Sequence, residues 1–293
     1  MMECCNIRTD LALEARESVG KINDEIPGIG VEESFYKKTG IRKTLVSVET
    51  KNAAAKLNKP IGTYITLEGS DILTGRKEIE KGMAKEIAFC LESLIKKKGS
   101  ILIAGLGNRD VTADALGPLV ADRITITRHI LKAYGKAAYE GRNLPYVSAI
   151  VPGVMAKTGM ESAEIIKGVV EQIKPDTVIV VDALAARSVK RLNTTVQITD
   201  TGIHPGSGVG NHRFGIEEGF LGCPVIAIGV PTVIGADTLI KEGMGEEIHR
   251  QAFVPDSQYT NMYVTGKDVD EQVRTLAEVV SYGIQLALGT HNF

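Results

Sequence analysis

Ile101-Leu102-Ile103-Ala104-Gly105-Leu106-Gly107-Asn108 is a run of four apolar residues that ends in a glycine-punctuated turn. So short an uninterrupted apolar run, bounded by turn residues, reads as a strand buried on both faces. Before it, residues 74–98 place Ile79, Met83, Ile87, Leu91, Leu94 and Ile95 at steps of three and four, the period of an amphipathic helix. Lys96, Lys97 and Lys98 suit the negative end of that helix's dipole, and Gly99 stops it. After the turn, a helical stretch is expected from about residue 112 to 132, an apolar run over 146–151 and a helix over 161–173. Pro175-Asp176 then restarts the chain into a third run, Thr177-Val178-Ile179-Val180-Val181, which ends at Asp182. Strands are also expected at 195–199 and 225–228, and a closing helix over 268–288.

Short apolar strands alternating with helices predict an α/β fold, with a mostly parallel or mixed sheet sandwiched by helices. Upstream of Gly69, residues 44–49 and 63–67 alternate polar and apolar, the pattern of an antiparallel N-terminal element. No linker rich in Pro, Ser or charge, no repeat and no low-complexity tract divides the chain, so one domain is expected.

Composition narrows the function classes. The 293 residues are 43% hydrophobic and 24% charged, with a formal net charge of −2, which is ordinary for a globular protein. The near-neutral balance argues against direct nucleic-acid binding. No apolar run reaches the roughly 20 residues of a membrane span. Residues 1–6 have no basic segment followed by an apolar one, so no secretory signal is read there. Cys4, Cys5, Cys90 and Cys223 have no metal-type spacing, and a cytoplasmic, reducing location is expected.

The carboxyl ends of strands are where functional groups collect in open α/β sheets. Asp182 directly follows the third apolar run, and Asp114 lies beyond the turn that follows the first. If those strands are neighbours, both carboxylates face one crevice, where the pair can hold a single proton. The neutral member can protonate a leaving amine while the ionised one activates water. Each also has a structural reading, Asp114 as a first-turn acid of a helix and Asp182 as a loop brace.

A second constellation runs from Thr199 to Arg213, with Gly206-Ser207-Gly208-Val209-Gly210-Asn211 at its centre. Its glycines expose backbone N–H groups that can hold an anion or an extended peptide, so Gly206, Ser207, Gly208, Gly210 and Asn211 are candidate substrate-binding residues. It lacks the order of a dinucleotide fingerprint, and no cofactor is implied. Ser207 has no G-x-S-x-G elbow around it. His204 with Asp114 and Asp182 is a possible oxygen/nitrogen metal site, an alternative to the paired-acid reading. A non-catalytic oligomeric peptide binder is the alternative from another class.

Six strings in order resemble the germination protease family. They are residues 8–15 (RTDLALEA), 59–66 (KPIGTYIT), 105–118 with Gly105-Leu106-Gly107-Asn108 and Val111-Thr112-Ala113-Asp114-Ala115-Leu116-Gly117-Pro118, 181–187 (VDALAAR), 205–211 (PGSGVGN) and 227–233 (AIGVPTV). The resemblance implies an endopeptidase that degrades small acid-soluble spore proteins during germination, in the cytoplasm of the forespore or spore core. It implies a homotetramer made as a self-processing precursor, with Asp114 and Asp182 as the catalytic pair. The implied fold is phosphorylase/hydrolase-like and similar to that of the hydrogenase maturation endopeptidases, which bind a metal at corresponding turns. On this basis residues 1–6 are expected to be a short pro-segment and 7–293 one peptidase domain.

Overall fold

The computed structural model describes residues 9–20, 24–206, 214–244, 259 and 262–291. In chain order the elements begin with α1 (Ala12–Ser18), β1 (Ile29–Tyr36), β2 (Ile41–Val48), α2 (Lys51–Leu57), β3 (Gly62–Glu68), α3 (Lys77–Leu94) and β4 (Ser100–Gly105). Then come a 3₁₀ turn (Thr112–Asp114), α4 (Leu116–Ala121), α5 (Arg128–Tyr134), β5 (Tyr146–Ile150), α6 (Met155–Thr158), α7 (Ser162–Ile173), β6 (Thr177–Ala186) and β7 (Thr195–Thr199). The chain closes with α8 (Glu218–Leu221), β8 (Val225–Gly235), α9 (Ala236–Met244), β9 (Tyr263–Val264) and α10 (Val269–Leu288).

The strands form one mixed sheet in the order β1-β2-β3-β7-β8-β6-β4-β5, with β9 added to β8. The pairs β4–β5, β4–β6 and β6–β8 are parallel. The block β1–β2–β3 is antiparallel and joins the rest through an antiparallel β3–β7 pair, so the expected N-terminal element is part of the same sheet.

Strand alternation divides the core. Ile101, Ile103, Ile179 and Val181 point to one face, against Met83, Ile87 and Leu91 of α3, Leu116 and Val120 of α4, and Val273, Leu276, Val280 and Ile284 of α10. Leu102, Ala104, Val178 and Val180 point to the other, against Ala163, Ile166 and Val170 of α7. Each fully buried Ile or Leu in these layers contributes about 1.5–3 kcal/mol of transfer free energy. Around β2 and β3, Val46, Val48 and Tyr64 pack on Ala12 and Ala15 of α1 and Ala53 and Leu57 of α2.

Local signals explain several boundaries. Helix α7 opens with a capping box between Glu161 and Glu164 and closes at Lys174, whose φ is positive, just before Pro175. Three expectations need correction. The helix expected over 112–132 is broken into three pieces: Pro118 lacks the N–H that would bond Asp114, and the β-branched run Ile124-Thr125-Ile126-Thr127 turns outward to other partners. Thr127 N donates to Val147 O, and Thr125 N to Gln285 Oε1. Helix α3 ends at Leu94, so the lysine run lies outside it, and Lys98 Nζ donates instead to Ala287 O at the C-terminus of α10. The strand expected to stop at Val181 continues to Ala186, so Asp182 sits inside β6.

Candidate active site

Strand β4 ends where Gly105 pairs with Val181, and Leu106 N donates to Val181 O at 2.8 Å. Strand β6 runs on for five residues beside β8. This difference in length opens a cavity of about 240 Å³ beyond the end of β4, and both Asp114 and Asp182 line it.

Close backbone approach sets the position of Asp114. Gly107 has φ +113°, and a Cβ there would lie 1.9 Å from Asp114 O; a Cβ on Gly117 would lie 2.3 Å from Leu106 O and 2.4 Å from Val181 O. Only glycine lets the 106–118 loop fold so tightly over the end of β4. Asn108 N donates to Asp114 Oδ2 at 2.8 Å. On the other side, Thr232 Oγ1 donates to Ala113 O at 2.6 Å. Thr232 is the extra residue of a bulge in β8, where the register shifts between Leu184–Pro231 and Ala185–Val233; such bulges re-aim side chains beside active sites. Asp182 is 6% exposed, and its Oδ1 accepts from Ala183 N at 2.9 Å. Each aspartate accepts from a backbone N–H and lines the cavity, but Asp114 does so from the turn before α4, whose first turn carries no acid, and Asp182 from within β6 and not from a loop.

A third carboxylate lines the same cavity. Asp10 pairs with the edge of β6: its N–H donates to Ala185 O at 3.2 Å, and its Oδ2 accepts from Ala185 N at 2.9 Å. Lys59 Nζ donates to Asp10 O at 2.8 Å, and Ala12 N to Gln197 Oε1 at 2.6 Å. Burial pushes the Lys59 ammonium below its usual pKa, opposed by the negative charges of Asp10 and Glu14. Buried Glu14 accepts from Arg187 N and Ser188 N, and Arg191 ties Glu14, Glu17 and Glu68 together. Burial alone would lower the Arg191 pKa, but its hydrogen bonds to Glu17 and Glu68 outweigh that and raise it. Residues 10–17 are thus clamped to the rim of the crevice. Sequence reading missed Asp10 as a site residue because nothing in its spacing marks it; it appears only inside the string of residues 8–15.

His204 and Gly206 also line the cavity, Gly206 with φ +73°. Ser207, Gly208, Gly210 and Asn211 lie outside the described residues, as do residues 1–6. The His204 ring packs over Gly215, and its Nε2 lies 4.0 Å from Glu217 Oε2. Among the described residues no group of three or more His, Cys, Asp or Glu is placed to hold a metal ion, so Asp114, Asp182 and His204 share the cavity without forming such a set. No described helix is long and apolar enough to cross a membrane.

Residues 7–250 match the family model for germination protease. The germination protease of Caldanaerobacter subterraneus is 42% identical, with 98% of this chain and 96% of the relative aligned. That of Bacillus subtilis is 47% identical over 80% of this chain and 65% of the relative, and that of Clostridium tetani 39% identical over 97% and 95%. Among solved structures, a [NiFe] hydrogenase maturation protease from Thermococcus kodakarensis aligns at 22% identity and TM-score 0.37, covering 67% of this chain and 99% of that one. Sequence identity at this level across nearly the whole chain places it in the germination protease family, and the protein is an endopeptidase.

Proposed function

We propose that this endopeptidase degrades small acid-soluble spore proteins during germination, with Asp114 and Asp182 as its acid–base pair. The observation that carries the reading is that the two carboxylates line one cavity at the end of β4. Two carboxyl groups in one crevice titrate as a pair, because ionising the second beside the first is opposed. In the singly protonated pair, the ionised member takes a proton from water as its oxygen attacks the peptide carbonyl. The neutral member then gives its proton to the departing amine, and the C–N bond breaks.

The reading includes a precursor that trims its own N-terminus near residues 6–10. The support is that Asp10, at the end of that stretch, lines the cavity. Assembly as a homotetramer in the spore core belongs to the same reading, and sedimentation equilibrium measures the assembly.

The deciding experiment incubates wild type and Asp182→Asn with a purified small acid-soluble spore protein and reads the fragments by mass spectrometry. N-terminal sequencing of the enzyme after mildly acidic incubation runs alongside. Fragments and a shortened N-terminus from wild type alone are expected. Equal cleavage by both proteins removes Asp182 from the mechanism.

A further inference from the structure

The edge of β6 that faces the crevice carries a gap in its hydrogen-bond ladder. Alternate residues of a strand direct their N–H and C=O groups to opposite neighbours. Val178 N donates to Pro224 O just before β8, so even-numbered residues of β6 face β8. Val181 O accepts from Leu106 N, and Ala185 exchanges both backbone groups with Asp10, so odd-numbered residues face the β4 side. Ala183 lies between these two occupied positions, with β4 already ended. It is partly exposed and lines the cavity. Its N–H donates to Asp182 Oδ1, and its carbonyl, directed by the same alternation to the β4 side, faces a stretch of edge that neither β4 nor Asp10 covers.

We propose that this carbonyl is a substrate subsite: Ala183 O accepts one backbone N–H from an extended polypeptide lying across the crevice. The inference rests on the endopeptidase reading of Asp114 and Asp182, and specifies how substrate backbone is held beside them. An edge carbonyl directed into a cavity past the end of the neighbouring strand is placed to accept from a donor, and pairing an extended peptide to a strand edge is a recurrent way to supply one. The chain demonstrates the competence of this edge itself, since Asp10 pairs with it two residues further on. Substrate backbone suits this position because Ala183 is the immediate neighbour of Asp182, so a peptide bonded here carries its adjoining bonds to the carboxylates.

The dimensions limit the contact. Val181 and Ala185 are four residues apart, about 13 Å of strand, and both ends of that interval are taken by Leu106 and Asp10. One substrate residue fits the ladder there, not a full added strand. Leu106, Val111 and Val154 flank the gap with apolar surface for the side chains on either side. Recognition through one main-chain N–H requires an unfolded segment and tolerates many sequences, because every residue except proline supplies the donor.

The test uses a peptide spanning a bond that wild-type enzyme cuts in a purified small acid-soluble spore protein. Each backbone N–H is replaced in turn by an ester oxygen, which deletes the donor without adding bulk. A position within two residues of the cut bond should lose about 3- to 10-fold in kcat/KM, the worth of one hydrogen bond. The scan is repeated on protein carrying leucic acid in place of Leu184, which makes the 183–184 linkage an ester and its carbonyl a weaker acceptor; there the penalty at that position should shrink. If no position in the window responds, or if the penalty is the same with both proteins, the subsite is refuted while the endopeptidase reading stands. If the unmodified peptide's parent protein is not cut at all, the functional reading falls and takes this inference with it.

Discussion

Replacing Gly107 by alanine tests whether the position of Asp114 matters to catalysis. The added Cβ would stand 1.9 Å from Asp114 O and 3.1 Å from Asp114 Oδ1, and real Cβ contacts essentially never fall below 3.0 Å. The backbone at Asp114 must therefore retreat by at least about 1.1 Å, or the turn must open by as much. Holding a non-glycine residue at φ +113° costs about 1–3 kcal/mol, before any loss of the Asn108–Asp114 hydrogen bond. A misplacement of about 1 Å at a reacting group costs on the order of 100-fold in rate. Gly107→Ala should thus lose about 2–4 kcal/mol in urea unfolding and about 100-fold or more in kcat/KM on a small acid-soluble spore protein. Gly168→Ala is the control: it lies on exposed α7 surface with nothing within 4 Å of the added methyl, and should gain about 0.5–1 kcal/mol with unchanged turnover. A Gly107→Ala protein that keeps wild-type turnover would refute the dependence on Asp114 placement.

Asp114→Asn and Asp182→Asn should each abolish cleavage while shifting the unfolding free energy by no more than about 1 kcal/mol, since an amide oxygen can still accept from Asn108 N or Ala183 N. Circular dichroism melts and fragment analysis on the same samples check this. Arg191→Met removes the ion pair to buried Glu14 and should cost about 3–5 kcal/mol, read from urea midpoints. Burial pushes the Cys90 thiol up to about 11, so iodoacetamide at pH 8 should label Cys223 before Cys90, with Cys90 reacting only on unfolding. The same shift adds stability that is complete below pH 9, the unfolded value, and is lost as pH rises toward about 11; Cys90→Ala should flatten that alkaline decline.

The sequence was informative where local chemistry and tertiary demand agree. Helix α7 is legible because its period, its capping box and Pro175 all mark the same limits. Val178–Val181 is legible as a central strand because burial on both faces leaves no polar position. The end of β6 was misread because an acid after an apolar run looks like a stop. The strand in fact continues because β8 does, and the length of a neighbouring strand has no local signature. Strand β1 went unseen since its central residues are exposed at the sheet edge, so no apolar alternation marks it. Asp114 and Asp182 could be picked out as acids after apolar runs, although Asp182 lies inside β6 and not at its end, but Asp10 could not: it reaches the cavity by pairing with a residue 175 positions away.

That separation has a bearing on synthesis. At the roughly 5–20 residues per second of translation, Ala185 leaves the ribosome about 9–35 s after Asp10, and Thr232, which pins the Asp114 loop through Ala113 O, is later still. A growing chain therefore carries its three crevice aspartates on unjoined segments for most of its time on the ribosome. On the reading of Asp114 and Asp182 proposed above, the crevice cannot be assembled before residue 232 has been made.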